Sequence, residues 1–209
     1  MNCKALKITE KRGKGLLPVP CSLFPKIAII AFLALTAATA SGYRHPDIFV
    51  IDAAKNAQNH NNSGIRYMNE KIYYAAIQEF KIAISLNPNT QATATYFHNL
   101  GKTYMLAGRP DLAQDCFERA LTQYSLDFQY YKDLAECFKA LNLINFKIKQ
   151  YSNDKNPLNR VMLGLLYEEA GDLRRAIIIL DEFAMSEPDL IITRSVKQEI
   201  KALIKKVNR

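Results

Sequence analysis

Histidines, cysteines and paired carboxylates are the residue types with which a chain does chemistry, and here they are few and scattered. The three histidines are His45, His60 and His98. None stands in an H-E-x-x-H or other metal-ligand spacing, and the chain has no G-x-G-x-x-G or G-x-x-x-x-G-K-[ST] run. Of the four cysteines, Cys3 and Cys21 fall in a basic leader, which leaves Cys116 and Cys137. These two read as small buried thiols, with a disulfide in an oxidising compartment as the alternative. Glu168-Glu169 and Asp181-Glu182 are neighbours in sequence, so on a helix they point to different parts of its surface instead of converging. The aromatic pair Tyr73-Tyr74 reads as packing. No catalytic group, metal site or cofactor follows from these residues, and the chain is expected not to be an enzyme.

Charge narrows the partners. Over 209 residues the formal charge is +8, with 49% apolar and 23% charged residues, 8 Gly, 8 Pro and no Trp. That is ordinary globular usage. The excess sits at the two ends. Residues 1–40 carry six Lys/Arg against Glu10, and residues 190–209 carry six against Glu199, a net +5 each. Between them, 16 basic and 18 acidic residues leave the body at −2. A nucleic-acid binder needs its basic face on the folded domain, so nucleic acid is not expected as a partner.

The leader has the form of an export signal. Lys4, Lys7, Lys11, Arg12, Lys14 and Lys26 precede an uncharged run whose apolar centre is 27–35, and Ala38-Thr39-Ala40 supplies the small residues a signal peptidase requires. The rival is an uncleaved anchor, with membrane association through residues 27–43. That run of 17 uncharged residues stands at the short edge of what spans a bilayer. In both readings the basic flank stays inside, and the body is exported across the cytoplasmic membrane into the periplasm or cell envelope. Cys21 follows Pro18-Val19-Pro20 and not a small-residue box, so lipid attachment is not expected.

What the body does fix is a spacing. Around Gly101, Phe97 and Leu100 lie at −4 and −1, and Tyr104, Ala113, Phe117 and Ala120 at +3, +12, +16 and +19. Around Gly64, Tyr67, Ala76, Phe80 and Ala83 fall at the same later offsets, with Pro88 at +24. Around Gly164, Leu163, Tyr167, Ala176 and Pro188 match, and around Ala135 so do Tyr131, Leu134 and Phe138. Small residues at the anchor and at +12 let two helices approach closely, aromatics fill the space between units, and Pro closes the second helix.

This pattern resembles the tetratricopeptide repeat, a helix–turn–helix unit of 34 residues. The resemblance implies an all-α fold, a short right-handed α-solenoid. It divides the chain into a leader (1–40), an extension (41–56), about four repeats (57–189, the third shortened) and a capping helix (190–209). Gly108 and Gly171 mark the turns within units two and four. The anchors are 37, 34 and 29 residues apart. The first excess is expected in the loop near 87–93. The last deficit predicts a stunted second helix over 143–151, where Lys147 and Tyr151 replace the Ala and Phe, and an altered stacking of units three and four. In the final helix Ile192, Val196, Ile200, Leu203 and Val207 share one face, as a cap over the raw end of the array requires.

The resemblance also implies a binding surface, a concave face lined from positions −6, −3, +1 and +4 of each unit. These are Gln58, Asn61, Ile65 and Met68, then Thr95, His98, Lys102 and Met105. In units three and four they are Gln129, Lys132, Glu136 and Lys139, then Leu158, Val161, Leu165 and Glu168. Some members of the family grip a peptide C-terminal carboxylate. Here only Asn99 fits that clamp, and Asn61, Ile65, Gln129 and Asp133 occupy its other positions. The expected function is therefore a non-catalytic adaptor or assembly factor that binds another protein or peptide. Asn61, Ile65, Met68, His98, Lys102, Met105, Lys132 and Glu136 are its candidate contacts. The alternative is a structural subunit held at a membrane by an uncleaved leader and the basic last helix.

Overall fold

In the computed structural model, which describes residues 52–208, every helix–turn–helix junction closes in the same way. Lys71, Gly108, Asn142 and Gly171 have φ of 63°, 72°, 57° and 84°. Each stands seven residues after its unit's small anchor. At the first junction Lys71 N donates to Met68 O and Ile72 N to Tyr67 O, and the same pair of bonds recurs at the other three. These bonds satisfy carbonyls that a helix end leaves without partners. Glycine announces only two of these turns in the sequence. Lys71 adopts the left-handed conformation at a cost of about 1–2 kcal/mol, and Asn142 more easily because its short amide tolerates it.

Between the turns lie four helix pairs: α1 (Ala53–Asn69) with α2 (Tyr73–Leu86), α3 (Gln91–Leu106) with α4 (Pro110–Gln123), α5 (Phe128–Ala140) with α6 (Ile144–Ser152), and α7 (Pro157–Glu169) with α8 (Leu173–Ser186). A last helix, α9 (Ile191–Val207), follows. No strand occurs among the described residues, and the architecture is an all-α solenoid. Side chains of Asp52, Thr90, Asp127, Asn156 and Asp172 accept backbone N–H groups at helix starts, and Pro110 and Pro157 occupy first positions where no donor is missed. The expected leader over 1–40 and the chain before Asp52, including His45, lie outside the described residues.

The close approach predicted at the anchors is present. A Cβ on Gly101 would lie 2.7 Å from the Phe117 ring, and one on Gly64 2.7 Å from Phe80. Both rings are fully buried and have nowhere to go. In unit three the anchor is Ala135 and the second helix is stunted, as the spacing predicted. α6 has nine residues where α2, α4 and α8 have 14, and none of its residues is buried. As a result α5 packs directly on α7 and also touches α9, which is the altered stacking of units three and four.

Two expectations change. The extra residues of the first interval do not lie in a loop, because 87–90 is as short as 124–127. They extend α3 by a turn at its start, held by a reciprocal capping box between Thr90 and Thr93 and by a bond from Thr93 Oγ1 to Asn87 O. In α9, Ile192, Val196, Ile200 and Leu203 are buried as the spacing required, but Val207 is exposed.

Candidate functional site

First helices touch along the array, α1 to α3, α3 to α5 and α5 to α7, so this inner row carries the predicted surface. At its start the row is held by polar bonds. Asn99 Nδ2 donates to Asn61 Oδ1 at 2.9 Å, and Tyr96 Oη to Gln58 Oε1 at 3.4 Å. Asn61 is only 3% exposed, so it joins α1 to α3 and is not an open lining residue. Ile65 and Met68 are half-buried and pack against the small core beneath α2 and α3.

His98 departs from expectation in the same way. It is 7% exposed, where the pattern placed it on the open face. Its Nε2 lies 2.6 Å from Asp133 Oδ2, and its ring tilts against Tyr130 and Phe117 at centroid distances of 4.6 and 5.7 Å. Gln129 Nε2 donates to the other Asp133 oxygen at 2.5 Å, and Thr95 meets the Tyr130 hydroxyl at 3.1 Å. This network joins α3 to α5. The partners of Asn61 and His98 are 35 to 38 residues away, one unit further along, which a reading of single units does not pair.

At the far end the row is closed. Val161 and Leu165 were expected to line the surface, but they are 0% and 1% exposed and belong to the main core. Ile192, Val196, Ile200 and Leu203 of α9 lie in that same core. Lys132 is committed to Glu199 of α9 at 2.9 Å, and Lys139 to Glu169 at 2.9 Å. Glu168 pairs with Lys206 at 2.7 Å, which raises the Lys206 pKa above its ordinary value.

Three of the predicted residues stand around one cleft. Lys102, Met105 and Glu136 line a cleft of about 170 Å³ with Leu106, Phe117 and Asp133. Its apolar floor is the half-buried Met105 and the exposed Leu106. Lys102 stands on the α3 wall and Glu136 on the α5 wall, and neither makes an ion pair among the described residues. Asp133 faces the cleft with its carboxylate already fixed by His98. An apolar floor between two unpaired charges of opposite sign suits a short polypeptide segment carrying one apolar and two charged side chains.

The thiols are not reactive groups. Cys116 and Cys137 are free and buried, and Cys137 Sγ donates to Pro110 O at 3.2 Å. Burial pushes their pKa values up to about 12 and about 11, so at neutral pH neither supplies a thiolate. No group of three or more metal-ligating side chains occurs among the described residues, and none of their helices is long and apolar enough to cross a membrane.

Stacked helix–turn–helix units with an inner row of first helices define the α-solenoid class of helical-repeat folds. Residues 94–124, most of α3 with its turn and α4, match the tetratricopeptide repeat family. No curated protein matches the chain in sequence. Solved structures with similar folds include MamA, 18% identical over 73% of this chain and 90% of that one, with a TM-score of 0.45. Another is YrrB, described as a TPR protein with an unusual peptide-binding site, 18% identical over 68% and 74% of the two chains (TM-score 0.41). PilF of Pseudomonas aeruginosa is 18% identical over 71% and 68% (TM-score 0.45).

Proposed function

We propose that this protein is an exported, non-catalytic adaptor that docks a segment of a partner protein in the cleft between α3 and α5. The observation that carries the reading is the cleft itself. Along an inner row where Asn61 and His98 are buried and Lys132 is paired, Lys102, Glu136 and the exposed Leu106 border one cleft over the half-buried Met105. Export rests on the composition of residues 1–40, and the mature N-terminus tests it: Ser41 marks a cleaved signal and Met1 an anchor.

The docking reading is tested by crosslinked affinity capture of the full chain from its own cells. Wild type is compared with the double variant Lys102→Glu/Leu106→Asp, which changes two exposed positions. His98 is unsuitable for this purpose, because replacing it would also remove the buried bond to Asp133 that helps join α3 to α5. A partner captured by wild type and lost with the variant supports the reading. An identical set of proteins from both contradicts it.

A further inference from the structure

A cleft opens in the outer row, where the third unit falls short. All four second helices begin nine residues after the anchor of their unit. α2, α4 and α8 run on to +22, whereas α6 stops at +17. Five residues, about 7.5 Å of helix, are missing. A groove of about 620 Å³ opens there, between α4, the end of α6 and the start of α7. The groove between the complete helices α2 and α4 is about 300 Å³.

The other units show what fits this slot. Their own residues fill it: 82–86 of α2, 119–123 of α4 and 182–186 of α8. In each, the residue at +19 (Ala83, Ala120, Phe183) is fully buried and faces inward. In unit three the chain does not supply that turn. In the two units that precede it, the inward-facing residue of that turn is alanine, Ala83 and Ala120, so a small residue is the one that fits.

The lining also differs from that of the α2–α4 groove in a way that fits an occupant that comes and goes. Six of the nine residues lining the α2–α4 groove are apolar or aromatic, Ile84, Phe97, Leu100 and Leu112 among them, and the others are Lys81, Asp115 and Arg119. Here Leu121, Leu134, Leu158 and Met162 make an apolar floor. Gln114, Thr122, Lys147, Gln150 and Asn159 stand around it. An apolar centre with a polar, wettable rim is the anatomy of a reversible interface, because the empty state remains solvated.

We propose that this groove is a second docking site, which receives the end of an amphipathic helix from a partner protein, one and a half turns long, with a small residue facing the floor. The helix lies where the absent end of α6 would lie. The proposal is independent of the α3–α5 cleft, since none of the residues lining that cleft lines this groove.

The probe is a fluorescent peptide that carries Arg-Ala-Leu-Thr-Gln, the sequence of 119–123, at the N-terminal end of an alanine-rich helix. It is titrated to about 1 mM against the full chain. In one variant the same five residues are inserted after Ser152, completing α6. In a second, Thr122→Trp blocks the α4 wall. The expected result is saturable binding to wild type, at least tenfold weaker binding to both variants, and a higher melting temperature for the insertion. Lys102→Glu/Leu106→Asp should bind the probe as wild type does, so failure of one site is distinguishable from failure of the other. No binding to wild type, or equal binding to wild type and Thr122→Trp, overturns the proposal. If the insertion does not fold, Thr122→Trp alone decides.

Discussion

The two ends of the inner row use the same sequence positions for opposite purposes. In units one and two the −3 positions are Asn61 and His98, which join neighbouring first helices through single polar bonds. In unit four the −3 and +1 positions are Val161 and Leu165, sealed in one continuous core with α8 and α9. The polar end keeps a cleft open; the apolar end closes on itself. The difference shows that a repeat position is a place and not a role, because what stands across from it decides whether it is surface, joint or core.

The contrast predicts unequal costs. Phe183 is fully buried in the main core, so Phe183→Ala should lower stability by about 3–5 kcal/mol in denaturant unfolding. A loss below 1 kcal/mol would mean that this end is not the stable one. At the polar end, Asn99→Ala strips the buried Asn61 oxygen of its donor. A cost of about 1–3 kcal/mol is expected, with faster amide exchange in α1 while α7 to α9 stay protected. Uniform loss of protection would erase the distinction between the two ends.

Smaller effects sharpen the picture within the array. Lys71→Gly relieves a left-handed lysine and should stabilise unit one by about 0.5–1 kcal/mol, part of the gain being offset by the entropy of glycine in the unfolded chain. The thiols at the junction of units two and three give a pH signature. Their folded pKa values are raised from the ordinary 9.0 to about 12 for Cys116 and about 11 for Cys137, so this contribution to stability is complete below pH 9. It is lost as pH rises through 9 towards 12, because the unfolded chain ionises first. Cys116→Ala should flatten the alkaline part of the stability curve. Iodoacetamide at pH 8 should label both thiols only after unfolding.

The repeat was legible because small and aromatic residues at fixed offsets have one common cause, the close approach of two helices. Gly101 against Phe117 shows that cause directly. The stunted α6 was legible for the same reason, since Lys147 and Tyr151 stand where Ala and Phe belong. The turns at Lys71 and Asn142 were hidden because only glycine announces a positive φ. The extra turn of α3 was hidden because a capping box with threonine at both ends looks like loop composition. The site was legible in part. Lys102, Met105 and Glu136 line one cleft, whereas Asn61 and His98 turn inward. Polar residues at lining offsets look the same in sequence whether they face solvent or a partner 35 residues away.

The central claim is that the inner row is open at the α3–α5 cleft and committed elsewhere. Site-specific photo-crosslinking in living cells tests it most directly. The reactive residue is placed at Leu106 in one strain and at Lys139, whose side chain is tied to Glu169, in another. One discrete crosslinked partner from position 106 and none from position 139 is the predicted result. A partner captured from 139 and not from 106 would contradict the account.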